Sequence, residues 1–131
     1  MSKQKLISLI IAGIASTIAL LIISFFIFMN LMFSGRHIDN IPFDAVEWRR
    51  VGESEIRQEM VDDFLQNHNP VGSTRQDLIA LLGEQSKTHH FQEYDLIYWV
   101  GFERGFGVDS EWLVLKLDDQ NVVTEARLVT D

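Results

Sequence analysis

A chain of 131 residues with 19 acidic and 11 basic side chains carries −8 at neutral pH; every acid lies at Asp39 or later, while Lys3 and Lys5 precede a long apolar run. The part beyond that run is therefore more acidic than the whole, which disfavours nucleic acid and anionic lipid headgroups as partners. Cysteine is absent, so a disulfide framework, a thiol nucleophile, cysteine-ligated metal and a lipid-modified cysteine are all excluded.

Residues 1–5 form a short basic tail, and Leu6 to Phe33 carries no charge. At ~1.5 Å per residue this is roughly 40 Å of helix, against a hydrocarbon core of about 30 Å, so residues 6–33 are expected to cross a membrane once. A cleaved signal peptide is the competing reading. Its apolar region would span only about 7–15 residues, and here the strongest apolar stretch, Ile18 to Phe28, follows the small residues rather than preceding them. A basic tail ahead of such a run resembles a signal anchor, which places the N-terminus in the cytoplasm and the following domain outside it, on the periplasmic side. Ser8, Ala12, Ala15, Ser16 and Ala19 set small side chains where two such helices could approach closely, a route to weak self-association.

Residues 34–42 read as a linker and 43–131 as one soluble domain. Phe43, Val46 and Trp48 supply apolar side chains to an irregular or briefly helical segment. From Glu53 to Asn67, Ile56, Met60, Val61, Phe64 and Leu65 take helical spacing, with Glu53 able to pair with Arg57 one turn on, and Asn67-His68-Asn69-Pro70 stops the helix. Gly72-Ser73-Thr74 opens a second helix with Ser73 or Thr74 as cap and Gly83 as its end. Thereafter the period is that of strands: Tyr94–Phe102, Glu111–Leu117 and Val122–Val129, joined by polar loops and most simply an antiparallel meander. The expected fold is α+β, two helices over three antiparallel strands behind a transmembrane helix.

The stretch from Arg57 to Leu65, the Gly72-Ser73-Thr74 start running to Leu81-Leu82-Gly83, and the strand segments Tyr98-Trp99-Val100-Gly101 and Asp109-Ser110-Glu111-Trp112-Leu113 resemble the SmpA/OmlA group, the BamE-like small subunit of the outer-membrane β-barrel assembly machine. The resemblance covers roughly Arg57 to Thr130 and implies a two-helix, three-strand domain that binds proteins and has no active site. The layout is also similar to the repeats of β-lactamase inhibitory proteins, which are binders too. In BamE-like proteins the anchor is usually a lipidated cysteine; here an apolar helix stands in its place. The proline often seen after Leu-Gly is replaced by Glu84-Gln85.

Other constellations are weaker. His89 and His90 with Glu93 and Asp95 could bind zinc or serve a small metal-dependent hydrolase, but adjacent histidines in a strand diverge. Gly105-Phe106-Gly107 precedes a strand rather than the helix a phosphate loop needs. Asp62-Asp63 and Asp118-Asp119 read as solvated or turn-forming pairs. A ligand-binding or sensory domain is a further alternative; no cofactor is implied.

Strand parity identifies a candidate surface. Leu96, Tyr98, Val100, Phe102, Leu113, Leu115, Leu117, Val122, Ala126 and Leu128 share one face, expected beneath the helices. The opposite face carries Lys116, Glu125 and Arg127, yet also Ile97, Trp99, Trp112 and Val114, a candidate protein-binding patch unless Phe43, Val46 and Trp48 fold back to cover it.

Overall fold

The computed structural model describes all residues, Met1–Asp131, and the chain divides into two compact units, Met1–Gly35 and Arg36–Asp131. The first is one helix, α1, Lys3–Phe33, 31 residues long and capped by the Ser2 hydroxyl on the N–H of Lys5. It buries no residue. A helix this long, apolar on every side and without a charge beyond Lys5, is long and apolar enough to cross a membrane; a signal sequence meets the same description.

The second unit is α+β. Three helices, α2 (Ala45–Val51), α3 (Ile56–Asp63) and α4 (Arg75–Leu82), precede an antiparallel sheet of β1 (Leu96–Phe102), β2 (Ser110–Leu117) and β3 (Val123–Thr130) in the order β1-β2-β3. The meander is as expected; the third helix is additional. Asp44 caps α2 on the N–H of Glu47, turning the segment read as irregular or briefly helical into a defined helix. Its Trp48 is fully buried, within ring distance of Phe43, Phe64 and Tyr98. Residues 36–42, read as a linker, are joined to the domain: Arg36 N–H donates to the Arg104 carbonyl and Ile41 N–H to that of Glu59.

α3 starts at Ile56 rather than Glu53, and Ile56 is exposed. Arg57, expected to pair with Glu53, is buried instead, its guanidinium 4.8 Å from the Trp48 ring centre and its Nε donating to the Trp48 carbonyl. Phe64–His68 continues α3 as a π-helical turn ending at left-handed Asn69, ahead of Pro70. Thr74 proves to be the cap of α4, accepting the N–H of Asp77, and Gly83 ends it at φ 81°, where a side chain would be strained. Arg49 donates to the carbonyls of Ala80 and Leu81, so a cation from α2 satisfies the last turn of α4.

The core between helices and sheet contains Trp48, Met60, Val61, Phe64, Leu78, Leu82, Leu96, Tyr98, Val100, Leu113, Leu115 and Val123. Two bulges correct the parity expectation. The β1–β2 register shifts between Trp99 and Gly101, so Val100 and Gly101 both lie toward the helices and Phe102 swings to the opposite face, against the ring of Trp99. The β2–β3 register shifts between Lys116 and Leu117; Val123, not Val122, enters the core, and Val122 bridges to Thr74.

Gly101 has a packing reason as well. A Cβ there would stand 2.8 Å from Oε1 of Gln58, a buried amide whose Nε2 already donates to the Phe102 carbonyl and the Glu111 carboxylate. That oxygen has no hydrogen-bond donor, so the amide is held only through its Nε2 side. We predict that Gly101→Ala destabilises the domain by about 1–3 kcal/mol, the range for overpacking. Thermal unfolding checks it, and a midpoint unchanged within error would show that Gln58 can move.

Candidate interaction surface

The expected open patch is not there. Ile97, Trp112 and Val114 are only 6%, 8% and 0% exposed, and with Tyr94 they form a second small core against which Phe91, Trp99 and Val129 pack. Of the four proposed contact residues only Trp99 keeps partial exposure. The cover is not Phe43, Val46 and Trp48: Phe43 and Trp48 pack in the first core and Val46 is exposed. It is the segment after α4. Phe91, at a left-handed φ of 57°, lays its ring beside Trp112, and Tyr94 is held by the Arg127 guanidinium on its hydroxyl. This segment also occupies the outer edge of β1. Ser86 N–H donates to the Ile97 carbonyl, the Gln85 side-chain oxygen accepts the N–H of Ile97, and the Ser86 hydroxyl accepts that of Trp99.

What stays apolar and open is a strip at the β1–β2 connection. Phe102, 42% exposed, lies with its ring against that of Trp99, and the connecting loop exposes Phe106 and Val108. Parity assigned Phe102 to the core, and so missed the strip; Gly101 within a strand was the available sign of a bulge.

Several of the groups that could carry chemistry are committed to structural bonds. His90 Nε2 lies 3.9 Å from the Asp131 carboxylate, and Asp95 accepts the N–H of Leu117; no three His, Asp or Glu side chains converge as metal ligands. His89 lines an open groove of about 780 Å³ together with Glu84, Lys87, Tyr94 and Ile97. Asp62 binds Arg104, whereas Asp63 accepts the N–H of Phe43 and the Asn67 amide. Asp118 accepts the N–H groups of Gln120 and Val122 in the β2–β3 turn. The Gly105-Phe106-Gly107 loop turns its N–H groups onto a carboxylate of its own chain, that of Glu103, at 2.5 Å from Gly105 and 2.6 Å from Gly107. Ala12, Ala15, Ser16 and Ala19 lie on α1, all exposed.

These bonds have a titration consequence. The N–H of Phe43, and next the Asn67 amide, hold Asp63 below its ordinary 3.8; the N–H of Gly105, aided by Gly107, holds Glu103 below 4.5. A carboxylate depressed in the folded state contributes stability present above its unfolded value and lost as pH falls through the folded one. The thermal midpoint is therefore expected to hold near neutrality and to decline below about pH 4, with Asp63→Asn and Glu103→Gln each flattening that decline. A profile identical in both variants and wild type would refute the assignment.

No family model matches the chain, and no curated protein or solved structure matches it.

Proposed function

We propose that this chain is a membrane-anchored, non-enzymatic protein-interaction module of the cell envelope, serving envelope assembly or maintenance. In this reading α1 is an uncleaved anchor, the basic tail is cytoplasmic, and the acidic domain stands on the periplasmic side. The observation that carries it is the pairing of an apolar 31-residue helix with a domain in which Asp62, Asp63, His90 and Asp118 are taken up by turns and side-chain partners of the same chain, while Trp99, Phe102 and Val108 keep apolar surface open. Exposed aromatic surface of this kind marks contact with another macromolecule more often than it marks chemistry. The resemblance to SmpA/OmlA proteins, whose layout is also helices followed by a three-strand meander, supports the same reading. The contact surface we assign is therefore moved from Ile97, Trp99, Trp112 and Val114 to Trp99, Phe102 and Val108.

The absence of native cysteine makes a labelling test of topology clean. Single cysteines at Ser2 and Asp119, probed in intact cells with a membrane-impermeant maleimide, report topology: labelling at Asp119 alone is expected, and labelling at Ser2 alone would reverse the orientation. A photo-crosslinking residue at Phe102 or Val108 is expected to capture a discrete protein that the same residue at Asp119 does not. Equal capture from all three positions would remove the assigned surface.

A further inference from the structure

The apolar loop between β1 and β2 is fastened to Arg36, the residue at which the domain begins. Arg36 N–H donates to the Arg104 carbonyl at 2.6 Å, and a Cβ on Gly107 would stand 3.2 Å from the Arg36 Cδ. α1 ends at Phe33, three residues earlier. Whatever direction α1 takes, three residues span at most about 11 Å, so covalent geometry keeps this loop on a short leash from the helix end. The uncharged run of α1 exceeds a hydrocarbon core of ~30 Å by about 12 Å, which carries its end out of the core and into the headgroup layer. The charges around the loop are drawn into the protein: Arg36 binds Glu55, Glu103 accepts the N–H groups of Gly105 and Gly107, and Arg104 binds Asp62 and Glu111. Phe102 and Val108 remain outside, 42% and 79% exposed.

We propose that the 103–109 loop, led by Val108, rests in the lipid headgroup layer beside the point where α1 leaves the membrane, giving the domain a second, apolar hold on the bilayer. Proximity, charge and side-chain type each select lipid as the occupant. A short tether makes the second contact intramolecular, at high effective concentration, so a small apolar gain suffices to close it. The acidic domain as a whole is repelled by anionic headgroups, but here Glu103 and Asp109 are balanced by Arg36 and Arg104, and the loop escapes that repulsion. Asp109 is exposed; the cost of a charge falls toward zero at the depth of the headgroups. Phe102 has its ring against that of Trp99, and tryptophan is a side chain that membrane interfaces favour. The inference rests on α1 being an uncleaved anchor. It adds that a protein bound by Trp99, Phe102 and Val108 is met at the level of the headgroups.

The test uses the full chain in phosphatidylcholine vesicles with no other protein present, so that burial of a probe reports lipid. A polarity-sensitive nitrobenzoxadiazole dye is placed on Val108→Cys or, at the opposite end of β2, on Asp119→Cys. Both positions are exposed, and a thermal midpoint equal to that of wild type verifies that each labelled chain is folded. The dye at 108 is expected to emit at shorter wavelength, to be quenched by a lipid bearing a nitroxide at its headgroup, and to be shielded from iodide in the water; the dye at 119 is expected to behave in the opposite way. A dye at 108 as open to iodide as the one at 119 overturns the proposal and leaves the anchor standing, since flotation of the chain with the vesicles reports the anchor separately. Quenching by the lipid at both positions overturns it as well, because the contact would not then belong to this loop. A chain that does not float with the vesicles ends the anchor reading, and this inference with it.

Discussion

Trp112→Ala is expected to lower the stability of the Arg36–Asp131 domain by about 3–5 kcal/mol, the range for deleting a large buried aromatic, whereas Trp99→Ala costs about 1 kcal/mol, a typical single substitution. The two side chains sit on neighbouring strands, directly paired in the β1–β2 register, yet their surroundings differ. Trp112 is packed beneath Phe91 in the second core, and its indole N–H donates to the Asp131 carboxylate at 3.1 Å. Truncation there removes apolar contact, leaves a cavity and unpairs that carboxylate from its indole. Trp99 lies at the margin of the same cluster and rests against the exposed ring of Phe102. Against a total stability of roughly 5–15 kcal/mol for a domain, the first loss is a large fraction and the second a small one. Urea unfolding of the full chain in micelles measures both. Equal effects at the two positions would mean that residues 84–95 do not cover the sheet as described.

Arg104→Ala carries the second large effect, about 2–3 kcal/mol. The Arg104 guanidinium holds two carboxylates at once: Nη1 and Nη2 donate to Asp62 at 2.7 and 3.2 Å, and Nε and Nη2 to Glu111 at 3.0–3.1 Å. The Asp62 bonds, with those to Glu111, raise the guanidinium pKa above its ordinary value, so the charge is present at every accessible pH. Glu111 is nearly buried and its only other hydrogen-bond donor is Gln58. Removing the arginine leaves a carboxylate without countercharge in a place water reaches poorly. The guanidinium itself is about a third exposed, which moves the cost below the ~3–5 kcal/mol of a fully sealed pair. Lysine cannot reproduce the fork, so Arg104→Lys is expected to recover only part. Combining Arg104→Ala with Glu111→Gln should cost less than Arg104→Ala alone, because the orphaned charge goes with its partner. A double variant worse than the single one would show that the network acts by shape rather than charge.

Local pattern alone determined the long uncharged run of α1, the helical face of Met60, Val61 and Phe64, the start of α4 at Ser73 or Thr74 and its end at Gly83, and three strands in a meander. Each of these rests on interactions within a few residues: caps, turn chemistry and side-chain period. Tertiary structure decided the rest. Two single-residue bulges, at Val100 and Thr124, invert parity from that point onward, so Phe102 left the core and Val123 replaced Val122; a slip of one residue changes the face of every side chain after it, and apart from Gly101 inside β1 no local residue announced it. The covering of Ile97, Trp112 and Val114 by Phe91 and Tyr94 was equally hidden, because residues 84–95 form no regular element whose face could be read. Arg57 was assigned by its charge to a helix-surface pair, and a neighbouring aromatic, Trp48, drew it inside instead. The free edge of β3 depends on what the chain lays beside each strand, a long-range choice that composition does not encode: Gln85 and Ser86 reach β1, while beyond Val123 no other strand reaches β3.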